Sequence, residues 1–78
     1  MPHYYFDIRD GEALSVDEEG MDLADQRGAE MEAALSLADA AGGLAPLADI
    51  RDVAVEVRGI EGPIFRASFL FDIARLGN

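Results

Sequence analysis

Residues 53–69 read VAVEVRGIEGPIFRASF and carry the clearest structural signal in the chain. Apolar and polar side chains alternate on both sides of a glycine-containing centre, which is typical of two half-buried strands joined as a β-hairpin. A loop over 59–63 pairs apolar residues across the two strands: Val57 with Phe65, Val55 with Ala67 and Val53 with Phe69. The same register sets Glu56 opposite Arg66, a favourable cross-strand charge pair. Two independent criteria therefore predict one register.

A second hairpin is predicted near the start of the chain. Every second residue from 4 to 8 is apolar, and Asp10-Gly11 marks a turn. A loop made of those two residues would put Leu14 and Val16 on the polar face. A loop over 9–11 instead gives apolar pairs and places its glycine at the left-handed position of a bulge: Phe6 with Leu14, and Tyr4 with Val16. We predict the three-residue loop.

Between the hairpins the apolar period changes to that of a helix. The expected core stripe comprises five residues at helical spacing: Met31, Ala34, Leu35, Ala38 and Ala41. Asp25 is the expected N-cap, Gly42-Gly43 the expected end, and Pro46 prevents the helix from resuming. The prediction is an α+β protein of ββαββ order, residues 1–78 forming a single domain. Its four-stranded antiparallel sheet is built from two hairpins with one helix packed on one face. Residues 71–76 either continue the last strand or form a short helix.

The charge balance narrows the classes of partner. The chain has 16 acidic residues against six arginines and no lysine, giving a net charge of −10. Such a charge repels phosphate backbones and anionic lipid surfaces, so neither nucleic acid nor a membrane is expected as partner. No apolar stretch approaches the length needed to span a bilayer, and the first residues lack a signal-peptide pattern. The expected location is the cytoplasm.

Several kinds of catalytic site are excluded by composition. Without lysine there is neither a P-loop nor a Schiff base, and without cysteine there is no thiol nucleophile. The one histidine, His3, lies beside the terminus, and no serine has a nucleophile-elbow pattern. We predict no catalytic residues, no cofactor and no enzymatic activity. The acidic run from Asp17 to Asp22 lacks the spacing of a calcium loop and is interpreted first as a solvated connection.

Two hypotheses of function remain. The first is a non-enzymatic protein-interaction module that either self-associates or binds a basic protein surface. Its candidate surface combines the second sheet face with the acidic run: His3, Tyr5, Ala54, Leu70, Asp17, Glu18 and Glu19. The alternative is a small-ligand or cation-binding domain that uses the Asp17–Asp22 carboxylates.

The opening of the chain resembles a known family of short uncharacterised proteins, most of them from alphaproteobacteria such as the rhizobia. The resemblance is carried by two blocks: Met1-Pro2-x-Tyr4-Tyr5-Phe6-x-Ile8-Arg9-Asp10-Gly11 and Asp17-Glu18-Glu19-Gly20-Met21-x-Leu23-x-Asp25. It departs at Glu30, where the family often has arginine, and at Ala24, where it often has proline. The resemblance implies a bacterial cytoplasmic protein. No activity is attached to that family, so it implies no site residues.

Overall fold

The computed structural model describes residues 1–42, 53–69, 74, 76 and 77. Its elements in chain order are β1 (His3–Asp10), β2 (Ala13–Ser15), β3 (Met21–Asp22), α1 (Gln26–Gly42), β4 (Val53–Gly59) and β5 (Gly62–Ser68). The strands form one antiparallel sheet in the order β2-β1-β4-β5, and β3 also pairs with β1. The predicted α+β architecture of ββαββ order is confirmed. The two-residue strand β3 is an addition to it.

The core lies between α1 and the two central strands. β1 and β4 pair along most of their length, which brings Phe6 opposite Val57 and Ile8 opposite Val55. The buried cluster contains aromatic and β-branched residues from the sheet, and two alanines and a leucine from the helix: Tyr4, Phe6, Val53, Val55, Val57, Ala29, Ala33 and Leu37. Because the sheet supplies the bulk, the helix can approach closely on alanine.

The register predicted for the second hairpin is confirmed, and its loop is shorter than predicted. Val57 pairs with Phe65, Val55 with Ala67 and Glu56 with Arg66. Pairing then continues past a bulge to Gly59 and Gly62, which leaves only Ile60-Glu61 as the turn. Ile64 is the extra residue of the bulge. β5 ends at Ser68, so the predicted pair of Val53 with Phe69 is not part of the ladder.

The register predicted for the first hairpin is wrong. Asp10 pairs with Ala13 and Arg9 with Leu14, so the turn consists of Gly11 and Glu12. Gly11 has a φ of 62° and Glu12 has no positive φ, which fits a type II′ turn with glycine in first place. Leu14 therefore lies beside Arg9 on the outer face, 43% exposed. Burial of Leu14 did not determine this register, and polar contacts of Asp7 and Asp17 hold it instead, as described below.

The helix begins as predicted but packs on a different face. The Asp25 carboxylate accepts the Gly28 N–H at 2.9 Å, which confirms the N-cap. Four residues of the predicted core stripe are turned outward: Met31, Ala34, Leu35 and Ala38. Met31 and Leu35 are 64% and 67% exposed, and the side chain of Ala41 lies outside the described part of the structure. The residues that face the sheet are Ala29, Ala33 and Leu37. Alanines occur on both the buried and the exposed face of α1, so apolar spacing alone could not separate the two faces.

Some predictions fall on parts of the chain outside the described residues. The helix ends at Gly42, but Gly43, Pro46 and Leu70 lie outside them, as does most of the segment 71–76. Within the described residues, no helix is both long enough and apolar enough to cross a membrane.

Candidate functional site

Asp17 lies where the ladder along β1 is interrupted. The β2 register would set Asp17 opposite Phe6, and its side chain takes the place of a backbone partner there. One carboxylate oxygen accepts the Phe6 N–H at 3.1 Å, and the other accepts the N–H groups of Glu19 and Gly20, each at 3.1 Å. Partial burial alone would raise the pKa of Asp17, but these three donors and the nearby Arg58 outweigh it and lower that pKa. Asp17 therefore stays ionised and shapes the loop that follows β2.

Asp7 and Arg58 form an ion pair beside this loop. Asp7 is only 7% exposed, and its carboxylate accepts the Asp17 N–H at 2.8 Å and the Arg58 Nε–H at 2.9 Å. Arg58 also donates from Nη2 to the Asp17 carbonyl oxygen at 2.8 Å, and its guanidinium lies 4.3 Å from the centre of the Tyr5 ring. Each of these hydrogen-bonding groups has a partner within the protein. The ion pair therefore links β1, β4 and the loop, and it stabilises the fold.

His3 joins the other end of the loop to β1. Its Nδ1 lies 2.6 Å from an Asp22 carboxylate oxygen and its Nε2 lies 2.7 Å from the Glu19 carbonyl oxygen. Both neighbours are acceptors, so only the doubly protonated imidazolium satisfies both contacts. The hydrogen bond to Asp22, then that to Glu19, raises the pKa of His3 above 6.5. The ring also makes an edge-to-face contact with Tyr5, with 5.0 Å between ring centres.

Glu56 pairs with a different arginine from the one predicted. Arg66 is opposite Glu56 in the ladder, but the hydrogen-bonded partner is Arg9, whose Nε donates to Glu56 at 2.8 Å. This bond lowers the pKa of Glu56 and raises the pKa of Arg9, while Arg66 adds a smaller attraction. We name the outer-face polar cluster by its members: His3, Tyr5, Asp7, Asp22 and Arg58.

The residues of the predicted interaction surface are only partly brought together. His3 and Tyr5 are half-buried members of the outer-face polar cluster, and Glu18 and Glu19 are exposed on the loop. Asp17 is turned inward to cap that loop. Ala54 is fully buried, so it adds nothing to an accessible surface, and Leu70 lies outside the described residues. The predicted residues therefore do not form one continuous patch.

The predicted alternative, a cation site at Asp17–Asp22, finds no support in the geometry. Both oxygens of Asp17 accept backbone N–H groups, and Asp22 is engaged by His3. Among the described residues, no three histidine, aspartate or glutamate side chains converge as ligands of one metal ion. The carboxylates of this run hold the loop and the outer-face polar cluster together.

The sequence interpretation missed one surface. Four exposed residues of α1 follow one another at intervals of four and form what we call the outward ridge: Arg27, Met31, Leu35 and Asp39. Exposed Ala34 and Ala38 lie beside it and complete a continuous apolar patch, which has Arg27 at one end, Asp39 at the other and Glu30 at its side. Its spacing was visible in the sequence, but Met31 and Leu35 were assigned to the core. Because α1 has apolar residues on two faces and only one face can pack on the sheet, a second packing surface could have been predicted.

These features define a small α+β protein whose antiparallel sheet is covered by one helix. A family model described as a domain of unknown function (DUF6894) matches residues 3–70, and the chain belongs to that family. No curated protein and no solved structure matches the chain. The description of this family assigns no activity to it.

Proposed function

We propose that this protein is a non-enzymatic interaction module that docks another protein helix on the outward ridge of α1. One observation carries the proposal: α1 has an apolar face against the sheet and a second apolar face in water. About two thirds of the Met31 and Leu35 side chains is exposed. Covering the exposed part of each side chain would gain ~1–2 kcal/mol. Single exposed apolar residues are ordinary on protein surfaces, whereas adjacent ones in a continuous patch indicate an interaction site.

The polar parts of the molecule support this proposal indirectly. The outer-face polar cluster is hydrogen-bonded internally, which leaves its groups committed to the fold. The net charge of −10 disfavours nucleic acid as partner. We place the protein in the bacterial cytoplasm, on the resemblance of its opening blocks to mostly alphaproteobacterial chains. Of the two partners considered above, the ridge favours a second copy over a basic protein surface, because it carries one charge of each sign.

A photo-crosslinking amino acid placed at Leu35 tests the proposal in the cell that makes the protein. The matched control is the same amino acid at Ile60, which is 95% exposed in the turn between β4 and β5 and is not part of the ridge. We expect a discrete crosslinked protein from position 35 and only diffuse background from position 60. The double variant Met31→Gln with the crosslinker kept at 35 should lower the yield several-fold. Equal background at both positions would show that the ridge is not a docking surface.

A further inference from the structure

The charges on the outward ridge identify the occupant. We infer that the helix docked there is α1 of a second copy of this chain, packed antiparallel about a two-fold axis. This inference rests on the proposed function and names its partner. An interface between identical copies must be self-complementary, which means that each residue faces its counterpart through the axis. The outward ridge meets this condition in both its apolar and its charged residues.

The spacing of the ridge is symmetric about the level of residue 33. Arg27 and Asp39 are both six residues from that level, ~9 Å along the helix axis, and Met31 and Leu35 are both two residues from it, ~3 Å. A two-fold axis at that level therefore sets Met31 against Leu35 of the other copy. It also sets Arg27 against Asp39 of the other copy at both ends. Interdigitation of such four-residue ridges is the commonest mode of helix packing.

The ridge charges are unfavourably placed in the isolated helix. Arg27 lies in the first turn, at the positive end of the helix dipole, and Asp39 lies in the last turn, at the negative end. The first turn contains no acidic residue and the last turn no basic one. In an antiparallel pair, each arginine would lie beside the negative end of the other helix, and each aspartate beside the positive end. Association therefore relieves a conflict that the single chain retains.

The surroundings of each charge favour the same pairing. Asp39 shares a cleft with Asp17, Glu19 and Glu32, so this end of the ridge attracts a cation. Arg27 is the only basic residue of α1 and supplies that cation from the other copy. Exposed Ala34 and Ala38 carry no bulk, which lets the two helices approach closely.

Charge exchange tests the pairing in the purified chain. The variants are Arg27→Asp, Asp39→Arg and the double exchange, studied by sedimentation velocity at 0.15 M salt over a wide concentration range. We expect wild type to dimerise. Each single exchange should weaken the dimer about tenfold, because it replaces two attractions with two repulsions. The double exchange should restore association in part, to clearly tighter than either single variant, because the charge pairs return while each new charge lies beside the like-signed end of the other helix. Each exchange also suits the helix dipole, so weaker association cannot be attributed to a destabilised helix.

The single exchanges separate specific pairing from net charge. Arg27→Asp makes the chain more negative by two charges and Asp39→Arg makes it less negative by two. If net repulsion alone mattered, the first would weaken the dimer and the second would strengthen it, and that result would overturn the inference. A double exchange as weak as the singles, or a wild type that stays monomeric at millimolar concentration, would overturn it too. A monomeric wild type whose position 35 still crosslinks a different protein would leave the proposed function standing.

Discussion

Removing the carboxylate of Asp17 should destabilise the whole domain, because this group replaces a strand partner at the break beside β1. It accepts three backbone N–H groups, those of Phe6, Glu19 and Gly20. A hydrogen bond to a charged group contributes ~1.5–3 kcal/mol. The Glu19 and Gly20 donors can turn to water after the substitution, whereas the Phe6 N–H is held in the sheet. We therefore expect Asp17→Ala to cost ~2–4 kcal/mol, out of a total stability of ~4–12 kcal/mol for a chain of this length.

Asp17→Asn should cost less, ~1–2 kcal/mol, because its single amide oxygen can still accept the Phe6 N–H while the Glu19 and Gly20 donors turn to water. The assay is urea unfolding followed by far-UV circular dichroism at pH 7, with Glu18→Ala as the exposed neighbouring control. The control should stay within ~0.5 kcal/mol of wild type. If Asp17→Ala also stayed within that limit, or if the asparagine variant lost as much as the alanine variant, the acceptor argument would be refuted.

The lowered pKa of Asp17 predicts how the unfolding free energy of wild type and of Asp17→Asn should differ with pH. The pKa of Asp17 is lowered in the folded protein, so its contribution is present above the ordinary value of 3.8 and is lost as pH falls through the folded pKa. The difference in unfolding free energy between wild type and Asp17→Asn should therefore be constant near neutrality. It should shrink below pH 3.8, because protonated aspartate then resembles asparagine. If the difference persisted at a pH where Asp17 is fully protonated, the shape of its side chain and not its charge would be the cause.

Three further outcomes are expected. His3 has a raised pKa, so an NMR titration of its ring should give a value above 6.5. Its stabilising contribution should be full below pH 6.5 and lost as pH rises through the folded pKa. Gly20→Ala should lower the unfolding free energy by ~1–3 kcal/mol, because Gly20 has a φ of 67° and an added Cβ would lie 2.6 Å from His3 Nε2. Ala33→Leu should cost ~1–3 kcal/mol in thermal or urea unfolding, because Ala33 is fully buried under the sheet.

Each outcome has a matched control. His3→Gln should abolish the pH dependence assigned to the ring, and its persistence in that variant would assign it elsewhere. Among the described residues nothing lies within 4 Å of a Cβ added at Gly42, so Gly42→Ala should be neutral or stabilising. A loss equal to that of Gly20→Ala would contradict the steric argument. Ala34→Leu adds the same bulk on the exposed face and, at a protein concentration low enough that both variants are monomeric, should leave stability within ~0.5 kcal/mol. Equal losses from Ala33→Leu and Ala34→Leu would contradict the assigned helix face.

The second hairpin could be predicted because two physical criteria agreed there. Alternation of valine with polar residues and the charge match of Glu56 with Arg66 both selected the register found in the structure. The turn was harder to predict, because Gly62 at a φ of 124° lets pairing continue past the bulge at Ile64. Alternation identifies which residues oppose one another, but it carries little information about how a loop closes.

The first hairpin was mispredicted because apolar pairing and a glycine bulge at the turn were the only criteria applied, and neither takes account of buried polar groups. The structure leaves Leu14 and Val16 largely in water and satisfies Asp7 and Asp17 instead. An unpaired buried carboxylate costs more than one half-exposed leucine gains, so the polar network dominates the register. This network joins residues far apart in the chain, Arg58 among them, and no local pattern reveals such a contact.

Three residues in the blocks that carry the family resemblance have structural roles. Gly11 makes the turn, Asp17 caps the interrupted ladder, and Gly20 takes a left-handed conformation against the ring of His3. Because these three roles are structural, they do not indicate a ligand. The outward ridge of α1 has no such role within one copy, and its two charges oppose the dipole of their own helix. A feature that costs the monomer stability and gains complementarity in a symmetric pair is best explained by association, so the search for function belongs on α1 and not on these blocks.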